Sequence, residues 1–158
     1  MSGKAQMISP DLYPQMLPRG QAARLSQVLR SADAAAMADN ILQQSAAPLR
    51  EAALIHVAEM EAAGHDHALV SEKAHEIKGF ADTAGLPAAA RIAAGLCRYL
   101  ERSEMARIPT DAAVVALHVS AIARAARSPD LEAQAGAAVA DELALLAERK
   151  LAEAEKRA

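Results

Sequence analysis

The chain of 158 residues has no tryptophan, one phenylalanine (Phe80), two tyrosines (Tyr13 and Tyr99) and one cysteine, Cys97. Each scarcity excludes something. With 2% aromatic residues, a surface on which successive nucleic-acid bases stack is disfavoured. A single cysteine permits neither an intramolecular disulfide nor a CxxC zinc cluster, and in an apolar helical row it reads as packing. Seven glycines and few β-branched residues argue against a sandwich or barrel. No apolar run reaches the roughly 18 residues of a membrane span. The N-terminal stretch Met1–Pro14 has no apolar core of a signal peptide, so the expected compartment is the cytoplasm. An excess of charge of one sign is also missing: 17 Lys and Arg against 20 Asp and Glu give −3. That leaves no global field to draw in nucleic acid or a membrane surface.

What the chain has instead is alanine, roughly a quarter of all residues and the best helix former. Residues 1–20 carry Pro10, Pro14, Pro18 and Gly20 and read as an irregular arm. With a short helix over 21–30, bearing Ala22, Leu25, Val28 and Leu29 on one side, they make an N-terminal segment, 1–30. Ser31 or Asp33 caps the next helix. It carries Pro48 and an apolar row of Leu42, Leu49, Ala53, His56 and Met60, and it ends at Gly64. Asp66 caps a second helix running to about Ala84, before Gly85. Pro87 suits the first turn of a third, which ends near Ser103 and buries Leu86, Ala90, Ala93, Cys97 and Leu100. Thr110 caps a fourth, ending near Arg127. A fifth spans about 130–156, with Leu131, Ala135, Val139, Leu143 and Leu146 on one stripe. Short connections predict an all-α, up-and-down antiparallel four-helix bundle over 31–127. A C-terminal helical extension, 128–158, either packs on it or forms a dimer seam.

The second helix carries the chemistry. Val70, Ala74, Ile77, Ala81 and Ala84 recur at spacings of four and three and form one row facing the core. His75 then lies roughly 140° away, on the polar side, together with Ser71, Lys78, Gly79 and Asp82. An exposed imidazole titrates near 6.5, so much of it is neutral and nucleophilic at neutral pH. The Lys78 ammonium, three residues on, can reach a group bonded to His75. Gly79 costs about 1 kcal/mol in helix propensity relative to alanine and leaves the outward face clear. A nucleophile, a cation and cleared space suit reversible phosphoryl transfer.

Ala74-His75-Glu76-Ile77-Lys78-Gly79, then Gly85-Leu86, then Leu96-Cys97-Arg98-Tyr99-Leu100-Glu101, resembles the signature of histidine phosphotransfer (HPt) domains. Their pattern is A-H-x-[LI]-K-G, a glycine ten residues past the histidine and a following helix with a hydrophobic-x-x-hydrophobic-E end. The resemblance covers 74–101 well and the rest of 31–127 in length and pattern only. It implies a bundle that carries a phosphoryl group on His75 between aspartates of receiver domains, fed by a hybrid histidine kinase in a bacterial phosphorelay. It implies no autokinase activity and no cofactor of the chain's own, the receiver supplying Mg2+. Lys78 would stabilise the phosphoryl charge and Gly79 would admit the receiver. Phe80 stands where the family often has a small residue; it is expected at the edge of the core, half-buried. Asp82 stands one turn after Lys78, in place to pair with it.

His75-Glu76-Ile77-Lys78 also resembles the H-E-[LI]-[RK] motif of dimeric sensor-kinase dimerisation domains. The proline of that motif is missing and no nucleotide-binding motif follows, so a monomeric HPt protein is favoured. A different class, a helical adaptor without chemistry, is the other alternative. On the third helix Arg91, Arg98 and Arg102 line the polar side as a candidate basic rim for an acidic receiver, with Arg98 the first choice. His56 reads as a core or edge histidine and His118 as a surface or packing residue. His65 and His67 flank Asp66 without a second ligand cluster, so no metal site is expected.

Overall fold

From residue 32 on, the capped, alanine-rich segments among the described residues form the helices α1 (Ala32–Ala63), α2 (His67–Phe80), α3 (Pro87–Ala106), α4 (Ala112–Arg127) and α5 (Pro129–Glu155). The computed structural model describes residues 24, 27, 28 and 30–157, except the side chains of 130–134, and contains no strand among them. The arm over 1–20 and most of the expected helix over 21–30 lie outside the described residues; Val28 is exposed. Residues 1–41 and 42–158 form two compact units, and the boundary falls inside α1. The expected C-terminal extension, 128–158, belongs to the second unit together with residues 42–127 of the expected bundle, whose first residues, 31–41, fall in the first unit.

Side chains close the helix starts. Ser31 Oγ accepts from the Ala34 amide at 3.2 Å, and Asp66 accepts from the Leu69 amide at 3.1 Å. Each satisfies a first-turn amide that has no partner within the helix. The cap of α4 is Asp111, which accepts from Ala113 at 2.9 Å, and not Thr110. The reason is tertiary: the Tyr99 hydroxyl accepts the Asp111 amide at 2.8 Å and pins that residue ahead of the first turn.

Two helix ends differ from expectation. α2 stops at Phe80, not near Ala84, because the chain turns over 81–85 into Gly85 at φ +73. There the Leu86 amide reaches back to the Ala81 carbonyl at 2.8 Å. Left-handed backbone of this kind is inexpensive only for glycine. α3 runs past Ser103 to Ala106 and ends on Arg107 at φ 55, a position that glycine usually fills.

α3 is the central helix of the second unit. It packs against α2, α4 and α5, and α4 also packs against α5. All five expected core residues around α3 are buried, and so are Ala89, Ile92, Leu96, Tyr99 and Ser103, because three neighbours cover it. On α2 the row Val70, Ala74 and Ile77, continued by Ala81 and Ala84, is fully buried. Burying a side chain of the size of Val70 or Ile77 stabilises by about 1.5–3 kcal/mol.

The second half of α1 contributes Ala53, Val57 and Met60 to the same core. Arg50 Nε on α1 donates to the Ala84 carbonyl at 2.7 Å, and Glu61 pairs with Arg127 of α4. The α1 row therefore differs from the expected one: Leu42 is exposed and the buried stripe begins near Leu49. On α5 the buried positions are Gly136, Ala140, Ala147 and Leu151. They lie about one residue later than the expected stripe, whose Ala135 is exposed and whose Val139, Leu143 and Leu146 are half-buried. Small side chains at 136, 140 and 147 permit close approach to neighbouring helices. Leu131 lies among the side chains outside the described residues. Among the described residues no helix is long and apolar enough to cross a membrane.

Candidate functional site

α2 positions the candidate site. Its buried row holds one side of the helix against the core, and the opposite side turns outward. His75, Lys78 and Gly79 are exposed, Ser71 and Phe80 are half-buried, and Asp82 is exposed. A methyl group built on Gly79 would meet nothing within 4 Å, so the space beside Lys78 is open. Gly85 has a different role: a side chain there would approach Arg50 Nη2 to 2.8 Å.

The expected pair between Lys78 and Asp82 does not form, and Lys78 has no ion pair among the described residues. Regular helix ends at Phe80, which leaves Asp82 in the following turn. The field of Lys78 reaches α3, where it opposes the burial that pushes the Cys97 thiol up. Cys97 is itself buried and acts in packing.

His75 and Ser71 border an open groove between α2 and α3, with Leu100, Glu101 and Glu104 on the α3 side and Ile108 just beyond it. Glu72 and Glu76 line the α2 side. The groove beside His75 is therefore acidic. Arg98, the expected basic contact, lines a different groove, between α3 and α5, with Gly95, Arg102 and Glu148. Its neighbours are already engaged there: Arg91 Nη2 lies 2.6 Å from Asp141 Oδ1, and Arg102 pairs with Glu148. The candidate basic rim thus faces the carboxylates of α5.

A charged network that sequence reasoning missed holds Glu76, the residue after His75. Lys73 Nζ lies 2.9 Å from Glu72, 3.2 Å from Glu76 and 3.6 Å from Glu59. Hydrogen bonds to Glu72 and Glu76 hold its ammonium above the ordinary lysine range. His56 Nδ1 lies 3.1 Å from Glu59 and 3.3 Å from Glu76, and its hydrogen bond holds the Glu59 carboxyl below the usual range. The His56 ring also packs against Phe80, with centroids 5.9 Å apart. His56 is thus an edge histidine, half-buried, that joins α1 to the side of α2 next to the candidate site. The spacing of Lys73 and Glu76 on one helix was a usable signal; the arrival of Glu59 and His56 from α1 was not.

His118 is a packing residue and fully buried. Its Nδ1 lies 2.8 Å from the Val114 carbonyl, so this nitrogen carries the proton. Nε2 faces the space above Gly95 without a partner. Burial pushes its pKa down from 6.5.

Scans against protein-family models, curated proteins and solved structures each found no match to this chain.

Proposed function

We propose that this chain is a phosphoryl carrier: His75 accepts a phosphoryl group from a receiver-domain aspartate and passes it to another receiver. The observation that carries this reading is the outward face of α2, where exposed His75 stands one turn from exposed, unpaired Lys78 and from the open space at Gly79. In the transfer, a ring nitrogen of neutral His75 attacks the phosphorus of the aspartyl phosphate. The N–P bond forms as the acyl O–P bond breaks, and the receiver carboxylate leaves. The proton on the other ring nitrogen is released to solvent. Lys78 stabilises oxygens that are charged throughout. Mg2+ comes with the receiver, and the chain needs neither a nucleotide site nor a kinase domain.

The helix arrangement supports the same reading. The second half of α1 meets α2 and α4, α2 meets α3, and α3 meets α4. Four helices that close such a ring, joined by short loops, make an antiparallel bundle, with α5 packed outside it. A monomeric cytoplasmic carrier in a bacterial phosphorelay, meeting receivers and a hybrid histidine kinase, fits these features.

The test mixes the full chain with receiver domains carrying labelled phosphoaspartate, with Mg2+. Acid-labile, alkali-stable label is expected on the chain and is lost in His75→Gln. Label that survives this substitution overturns the assignment. Partner binding that is tight but never yields label identifies an adaptor instead.

A further inference from the structure

We infer that the partner surface docking over His75 is cationic where it meets α3. The α2–α3 groove takes an amphipathic segment whose apolar residues seat on Ala68, Leu100 and Ile108 and whose lysines or arginines meet Glu101 and Glu104. This deepens the phosphocarrier reading and rests on it for the identity of the partner as a receiver.

Three features of the structure set the sign. First, the groove is open and has an apolar floor: Leu100 and Ile108 retain 8% exposure each, and His75 stands on its rim. Second, Glu101 and Glu104 have no ion pair among the described residues, although they lie one turn apart near the C-terminal end of α3. Like charges at that spacing repel, and the negative end of the helix dipole disfavours Glu104 in the last turn. An external cation relieves both penalties at once. Third, Arg91, Arg102 and Lys73 are committed elsewhere, and exposed Lys78 makes no ion pair with either glutamate. Arg91 and Arg102 are paired with α5, and Lys73 serves Glu72 and Glu76, which concentrates the unneutralised charge on α3. Glu101 also borders the α3–α5 groove, whereas Glu104 borders the His75 groove and not that one. An acidic partner surface would meet uncompensated carboxylates here, so complementarity selects a basic one.

The test uses two helical peptides with the same apolar positions, one with lysines and arginines on its polar face and one with glutamates. Amide shifts of the full chain are followed by NMR at about 50 mM and about 300 mM salt. The cationic peptide is expected to move Ala68, Ser71, Leu100, Glu101 and Glu104, and to bind about tenfold more weakly at the higher salt. The double variant Glu101→Lys, Glu104→Lys should weaken it at least about tenfold. Equal shifts from both peptides, shifts confined to another surface, or unchanged binding by the double variant overturn the inference. None of these readouts depends on phosphorylation. Direct labelling of His75 by the small donor phosphoramidate tests the carrier reading separately, so either idea can fail while the other stands.

Discussion

The two sides of α3 handle charge in opposite ways. Toward α5, Arg91 and Arg102 meet Asp141 and Glu148, and the helices close over Ala140, Ala147 and Leu151. Toward α2, Glu101 and Glu104 make no ion pair among the described residues, and the groove stays open beside His75. On one side Arg91 and Arg102 meet carboxylates of the chain itself; on the other the two glutamates do not meet a cation among the described residues. A charge count does not separate the two, because the arginines and glutamates of α3 interleave along one helix. What separates them is the neighbouring helix each faces.

Ile77→Ala, in the buried row of α2, should lower stability by about 2–5 kcal/mol in denaturant unfolding. His75→Gln, two residues away and exposed, should leave the unfolding midpoint unchanged while abolishing label. Comparable midpoint shifts in the two variants would mean that His75 belongs to the packing.

The two glycines of the motif should then part company. Gly85→Ala meets both a left-handed backbone and Arg50, and should cost about 1–2 kcal/mol or more. Gly79→Ala fills open space on a helix, so it should stabilise by up to about 1 kcal/mol and yet slow transfer. If Gly79→Ala transfers at the wild-type rate, Gly79 has no access role.

On α4, buried His118 predicts a pH dependence. Its folded-state pKa is lowered by burial, so the fold holds it neutral, and the unfolded chain takes up a proton first as pH falls. Stability should be full above about 6.5 and decline as pH drops from there toward the lowered native value. His118→Leu should flatten this part of the melting profile between pH 7.5 and 5.5, measured against wild type. An unchanged slope would show that another group titrates there. The smallest effect belongs to Arg102→Ala. Both partners of its pair with Glu148 are exposed, so the melting temperature should move little, and salt should erase the difference.

The helix content and the core row of α2 were legible from the sequence because both are local. Alanine content, caps such as Asp66, and the spacing of Val70, Ala74 and Ile77 depend on nearby residues and on the 3.6-residue turn. The outward position of His75, Lys78 and Gly79 follows from the same wheel. Less legible were features set by other helices. Phe80 was expected at the edge of the core, but its partner His56 comes from α1. Asp82 leaves the helix because Gly85, Arg50 and Leu86 shape the turn after Phe80. The start of α4 depends on the Tyr99 hydroxyl reaching Asp111.

By itself, then, the sequence determined the helices from residue 32 on, the buried side of α2 and which residues of α2 face outward, since local propensity and periodicity dictate these. Only the tertiary structure decided the electrostatics of the surroundings. It turned the arginines of α3 toward α5, gave Glu101 and Glu104 no ion pair among the described residues, and brought α1 to Glu76 and Phe80. Charge pairing depends on distances between helices, and no spacing along the chain encodes them.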